Sequence, residues 1–254
     1  MSVPRHSARP SVCAVLLAAH DAIEQAVRDQ DPSPWLVVDP DLAAGVAQAR
    51  ARQADWMWVL DGSAVPEPGA LATLLSAGTT TLSALQPAVL ASKVVSGNGL
   101  PAPGLLPWLL RSHIEVGMFA FEREAVPIRA TPGSSILVAR SAASGVAPPH
   151  GRAPPRLAVL GWTARILRSG TGFVVPASAA RAVAAELSPS GPGHEGAADL
   201  GDRLALLRAK AWDPKERVRL GAEILGRAAR VTRSGQATAV ELWHEARRGL
   251  STEV

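Results

Sequence analysis

Three apolar runs near the start limit what this chain can fold into more than any other feature of it. They are Val12-Cys-Ala-Val-Leu-Leu-Ala18, Trp35-Leu-Val-Val-Asp39 and Trp56-Met-Trp-Val-Leu-Asp61. An unbroken apolar run of this length is the pattern of a strand covered on both faces, as in a parallel sheet. Helical stretches fall between the runs. Asp21 to Asp29 forms one and is stopped by Asp31-Pro-Ser-Pro34; Leu42 to Gln53 forms the next, with Leu42, Val46 and Ala49 on one face. Pro66-Glu-Pro-Gly69 opens a third over Ala70 to Ser76, with proline in a position suited to a first turn. The alternation predicts an α/β fold built on a doubly wound, mostly parallel sheet. Ligands of such sheets bind beyond the carboxyl ends of the strands, which is where Asp39 and Asp61 fall.

The remainder is less regular. Leu85 to Val95 reads as a strand running into the turn Ser96-Gly-Asn-Gly99, and Leu100 to Leu110 as a proline-interrupted loop or short helix. Val116 to Phe121 and Ser135 to Ala139 read as strands, Ser144 to Pro155 as a connection, Leu157 to Leu167 as a helix, and Phe173-Val-Val175 as a short strand before Pro176. Ser188-Pro-Ser-Gly-Pro-Gly-His-Glu-Gly196 has the composition of a linker. The expected organisation is therefore a domain over 1–187, a Gly/Pro linker over 188–200 and a helical appendage over 201–254. Its helices are expected at Asp202 to Lys210, Pro214 to Arg230 and Ala237 to Arg247. Asp213, Pro214 and Glu216 have the spacing of a capping box. Val218, Ile224 and Leu225 are expected near one face, with arginines over much of the rest, a surface that would meet solvent or a protein partner.

Composition excludes several classes of function. The single cysteine, Cys13, rules out a disulfide scaffold. The net charge of +4 arises from 26 basic and 22 acidic residues with no dense Lys/Arg run, so no nucleic-acid groove is expected. No stretch reaches the roughly 20 apolar residues of a membrane span. Val12 to Ala19 is short for a leader segment and runs straight into His20 and Asp21, so a cytoplasmic location is expected, with the inner face of the membrane within reach.

The third run and its sequel, Trp56-Met-Trp-Val-Leu-Asp-Gly-Ser-Ala-Val-Pro-Glu-Pro-Gly-Ala-Leu71, resemble a family 2 glycosyltransferase of the GT-A fold. That family has a hydrophobic strand, an Asp-x-Asp cluster and a Val-Pro-x-Pro-x-x-Leu helix start. Other segments follow in the family's order: Val37-Val-Asp39, Ala91-Ser-Lys-Val-Val95, Val126-Pro-Ile-Arg129, Ser134-Ser-Ile-Leu-Val-Ala-Arg140, and Trp162-Thr-Ala-Arg-Ile-Leu-Arg168 with Gly170-Thr-Gly-Phe-Val-Val-Pro176. The resemblance spans residues 11–180, and cell-envelope galactofuranosyl- and rhamnosyl-transferases look closest.

The resemblance implies a nucleotide-sugar donor and places Asp39, Asp41, Asp61, Ser63 and Lys93 at its nucleotide, with strand-end capping as the ordinary role of Asp39 and Asp41. It also implies chemistry that the residues only partly supply. Transfer needs the departing diphosphate neutralised, usually by Mg²⁺ or Mn²⁺ on a carboxylate, and the acceptor hydroxyl deprotonated, usually by Asp or Glu. The metal position of Asp-x-Asp is Ser63, and the stretch matching the base, Arg156-Leu-Ala-Val-Leu-Gly-Trp162, holds no carboxylate. No metal is therefore expected unless a substitute carboxylate reaches the site. His150 is a weak candidate base in a Pro/Gly loop. Two outcomes follow: a silent relative that keeps the fold for binding, or an active, metal-independent hexosyltransferase in which Arg165 and Arg168, three apart on a helix, clamp the diphosphate. Trp108 would line an acceptor site, touch a membrane surface, or simply pack.

Overall fold

The computed structural model describes residues 9–102, 105–109, 125–149, 153–183 and 212–233, together with 204, 207, 244, 246 and 247. The three leading apolar runs form β1 (Val12–Leu16), β2 (Trp35–Val38) and β3 (Trp56–Leu60), all parallel, with β1 in the middle. Helices α1 (Asp21–Arg28) and α2 (Leu42–Ala51) connect them. A nine-stranded sheet runs in the order β2-β1-β3-β8-β5-β9-β7-β6, with β4 (Ala64–Pro66) paired to β9. The later strands are β5 (Val89–Val95), β6 (Trp108–Leu109), β7 (Val126–Ala130), β8 (Ile136–Ala139) and β9 (Gly172–Ala182). Strands β4, β7 and β8 run against the other six, so most strands share one direction although β8 inserts antiparallel between β3 and β5.

Both faces of this sheet are covered. Val15, Met57, Val59, Val138 and Val174 pack on one face with Val46 of α2 and Trp162 of α5 (Pro155–Ile166). Leu16, Trp58, Leu60 and Leu90 pack on the other with Ile23 of α1 and Leu74 of α3 (Ala70–Ser76). Burying each such large side chain contributes about 1.5–3 kcal/mol. This two-sided burial is why β1 and β3 read as apolar runs without alternation; β2, expected to be buried as well, is the edge strand and leaves Trp35 and Val38 exposed.

Helix α5 runs against the parallel strands. It begins beside their carboxyl ends, where Val159 lies under Gly133, and ends at their amino ends, where Gly170 abuts Ala88 at the foot of β5. The short α4 (Arg140–Ser144) also lies at the amino edge, where the Arg140 amide donates to the Asp55 carbonyl.

Helix α3 spans Ala70 to Ser76 as expected, and several other expectations are corrected. Pro66 belongs to a strand and not to a first helical turn. The strand expected at Phe173 to Val175 continues through Pro176 to Ala182. Pro176 has no N–H to donate, and residues 176–178 drop out of register between the pairs Ser92–Val175 and Lys93–Ala179. The connection expected from Ser144 begins after α4, and the stretch from Leu100 contains β6. The strand expected at Val116 to Phe121 and the linker 188–200 lie outside the described residues.

Helix α6 (Pro214–Arg233) starts on the expected capping box: the Glu216 amide donates to Asp213 Oδ1 (2.7 Å) and the Asp213 amide to Glu216 Oε2 (3.0 Å). Its faces differ from expectation. Leu220 and Ile224 are buried against Leu157, Leu160 and Ala164 of α5, whereas Val218 and Leu225 point away. No helix among the described residues is long and apolar enough to cross a membrane.

Candidate functional site

The carboxyl ends of β1, β2 and β3 bring three short loops to one edge: Ala18 to His20, Asp39 to Asp41, and Asp61 to Ser63. Of the residues assigned from sequence, Asp39, Asp41, Asp61, Ser63 and Lys93 lie along this edge. Lys93 follows Val89 and Ala91 by strand alternation onto the α5 face of β5.

Asp39 and Asp41 hold the β2–α2 turn. Asp39 Oδ1 accepts from the Asp41 amide and Oδ2 from Gln48 Nε2, both at 2.9 Å. Asp41 caps α2, with Oδ1 accepting from the Ala44 amide at 3.0 Å. The capping role is thus filled, and both side chains remain partly exposed beside the loop that follows β1.

Asp61 and Ser63 form the centre of the edge. Asp61 is 8% exposed and Ser63 5%. The Asp61 amide donates to the Gly133 carbonyl at 2.7 Å, which ties the end of β3 to the loop before β8. Asp61 Oδ1 accepts from the Ser63 amide at 2.9 Å and from the Ser63 hydroxyl. The Ser63 hydroxyl is also the donor towards Ser134 Oγ, 2.9 Å away, so its single proton is shared between the Asp61 carboxylate and that oxygen. The turn requires glycine at its middle: Gly62 has φ +92°, and a Cβ there would stand 2.7 Å from Ala18 Cβ. Gly133 is equally confined, since its Cβ would meet Val159 Cγ2 at 3.0 Å and Asp61 Cβ at 3.2 Å.

Sequence reasoning missed the hydroxyl relay behind this corner. Trp58 Nε1 donates to Ser135 Oγ at 3.1 Å; Ser135 and Ser92 hydroxyls are 2.9 Å apart, Ser92 and Ser178 2.8 Å, and Ser178 donates to the Ala70 carbonyl at 3.0 Å. Because Ser178 gives its proton to Ala70, Ser92 must donate to Ser178 and Ser135 to Ser92. The relay joins β3, the loop before β8, β5, β9 and α3, and every side chain in it is buried. The available signal was a serine set in each of two otherwise apolar stretches.

Arg165 and Arg168 are not part of the edge. Arg165 Nη2 donates to the Ala147 carbonyl at 3.3 Å, just beyond α4, and burial lowers its pKa from the ordinary guanidinium range. Arg168 follows the end of α5, exposed. Because α5 runs opposite to β3, its last turn lies at the amino edge of the sheet, while Asp61 closes the carboxyl edge. The structure thus places both arginines away from the edge at which the diphosphate clamp is expected of them. The stretch Arg156 to Trp162 forms the first turns of α5, where Trp162 is wholly buried and its Nε1 donates to the Val146 carbonyl at 3.0 Å. His150 lies outside the described residues. Trp108 packs: it stacks on Trp212 with ring centroids 6.1 Å apart.

No protein-family model matches the sequence, and comparison with curated proteins gives no match. Among solved structures, S. aureus TarS (residues 1–349) is similar at 11% identity, with a TM-score of 0.50 over 88% of this chain and 73% of that one. The same TarS segment in complex with UDP-GlcNAc is matched at 14% identity and a TM-score of 0.46, over 85% and 63% of the two chains. GalNAc-T7 with UDP, GalNAc and Mn²⁺ is matched at 9% and 0.41, over 79% and 48%. The chain thus spans less than two thirds of the latter two. The likeness to TarS shows the fold, an α/β arrangement of the GT-A glycosyltransferase type.

That fold implies a divalent cation on the Asp-x-Asp loop, and the residues present do not fit one. Ser63 brings no negative charge, and its hydroxyl already donates within the corner, towards Asp61 and Ser134. Among the described residues no three His, Cys, Asp or Glu side chains gather to hold an ion.

Proposed function

We propose that this chain binds a nucleotide sugar on the carboxyl edge of its sheet as a silent relative of the family 2 glycosyltransferases, on the cytoplasmic side of the cell envelope and in the service of its glycans. The base and ribose lie against the loops carrying Asp39 and Asp41, and the diphosphate approaches Asp61 and Lys93. The observation that carries this reading is the closed Asp61–Ser63–Ser134 chain. It engages the loop's carboxylate with the amide and hydroxyl of Ser63, where a transferase would aim it at a cation. General-base assistance is commonly worth about 10²–10⁴-fold, and α5 offers no carboxylate for it between Arg156 and Trp162. With neither group supplied, donor binding outlasts donor turnover.

Calorimetry with UDP-, GDP- and dTDP-sugars, each with and without Mn²⁺, tests this directly. The expected result is binding of one nucleotide class with an affinity indifferent to Mn²⁺ and with no donor hydrolysis. Metal-dependent tight binding or measurable hydrolysis overturns the silent assignment. Absence of binding to every nucleotide overturns the ligand class as well. The envelope role is read separately, from the glycan composition of cells lacking the gene.

A further inference from the structure

Helix α6 has a second face that the domain does not use. Val218 and Leu225 are 73% and 72% exposed. Seven residues apart, they lie two turns along one stripe, which exposed Pro214, Ala222 and Ala229 extend. By helical geometry the stripe points about 130° away from Leu220 and Ile224, the residues that dock the helix. Exposed Lys215 and Arg219 flank it on one side and exposed Arg217 on the other. Over its length α6 carries six Lys/Arg against two Glu. Of those two, Glu216 faces the domain and binds Arg129, and the side chain of Glu223 lies outside the described ones.

We infer that this outward face of α6 seats the protein on an anionic lipid surface. The charge pattern selects this occupant. A basic helix with an exposed apolar stripe sinks the stripe among acyl chains, while the flanking cations extend their stems upward to the headgroups. Anionic headgroups attract each such cation. A second copy of the chain is disfavoured, because pairing two of these faces would set Lys215, Arg217 and Arg219 against the same residues of the other copy. A polynucleotide would meet the charges but leave Val218 and Leu225 without a use. The inference stands whether or not the carboxyl edge binds a nucleotide sugar.

Flotation of the full chain with vesicles tests it. Phosphatidylcholine vesicles should leave the protein in solution, and vesicles containing phosphatidylglycerol should carry it upward, less so as salt rises. The double variant Val218→Ser/Leu225→Ser and the charge variant Lys215→Glu/Arg217→Glu should each lower the vesicle-bound fraction about tenfold or more. All four side chains are exposed, so thermal unfolding followed by circular dichroism should match the parent. Failure of the parent to float with anionic vesicles overturns the inference, as does undiminished flotation of both variants. Sedimentation velocity showing a dimer that the Val218/Leu225 variant abolishes, without lipid binding, assigns the face to a second copy and overturns it too. A lowered melting temperature in that variant without flotation assigns the stripe to contacts within the chain and likewise overturns the inference.

Discussion

Arg129 on β7 grips Glu216 on α6 through two parallel hydrogen bonds, Nε to Oε1 at 2.7 Å and Nη2 to Oε2 at 3.0 Å. The arginine side chain is 4% exposed and the glutamate 19%. Arg129 also donates through Nη1 to the Ala164 carbonyl and lies 4.8 Å from the centroid of the Trp212 ring, which stacks on Trp108. One guanidinium thus ties the C-terminal helix, α5 and the strand that leads into Gly133 and Ser134.

Removing one partner of this pair leaves the other charge buried. Arg129→Met should cost on the order of 3 kcal/mol in urea unfolding, because Glu216 is then stranded. Glu216→Gln should cost less, since an amide still accepts from the guanidinium. Replacing both partners together should recover part of the loss, a non-additivity read from a double-mutant cycle.

Ser63 decides whether the loop can take a cation. Ser63→Ala removes the hydroxyl between Asp61 and Ser134 and should lower stability by about 1–2 kcal/mol. Ser63→Asp sets two carboxylates side by side and should lower the melting temperature further in metal-free buffer. Adding Mn²⁺ should then raise the melting temperature of Ser63→Asp and leave that of the parent unchanged, as differential scanning fluorimetry would show.

Gly62 has no substitute. Ala at this position would hold an unfavourable positive φ and press its methyl against Ala18. Gly62→Ala should cost about 1–3 kcal/mol in stability. It should also weaken nucleotide-sugar binding, because relief requires the loop after β1 to move away from the edge. Calorimetry on the refolded variant reads the second effect.

Asp55 supplies a pH dependence. The Ser11 amide donates to its Oδ2 at 2.9 Å and the Ser11 hydroxyl at 2.8 Å, and these hold its carboxyl below the usual range, with Arg140 adding a smaller pull. A depressed folded-state pKa stabilises the fold above the ordinary carboxylate range, and the benefit is lost as pH falls through the folded value. The parent should therefore outlast Asp55→Asn at neutral pH, and the two unfolding curves should converge under acid titration.

Strands β1 and β3 are legible because two-sided burial leaves a mark that composition cannot hide: Val12 and Trp56 each open a run with no polar alternation, whereas the apolar run at Trp35 gives no sign that β2 is an exposed edge. The capping boundary at Asp213 is legible for a related reason, since both of its hydrogen bonds close within four residues. What could not be read lies between distant residues. Arg129 and Glu216 are 87 positions apart and Ser92 and Ser178 are 86 apart, and no local pattern encodes such a meeting. The spacing of Arg165 and Arg168 suggests one helical face, but α5 ends at Ile166, before Arg168, and spacing carries no information about which end of a helix faces which edge of a sheet. Likewise, Val218 and Ile224 look alike to a periodicity count, and only the position of α5 separates the docked one from the exposed one.

The hydroxyl relay from Trp58 to Ala70 has a consequence for anyone redesigning this molecule. Every link has a single proton to give and gives it in the same sense, so the wire cannot rotate to accommodate an edit. Swapping Ser135 for alanine silences two couplings at once, upstream and downstream, in the loop before β8 that carries Ser134 to the Asp61 corner. A new binding chemistry grafted onto that corner would have to rewrite the whole queue of donors, or leave it untouched.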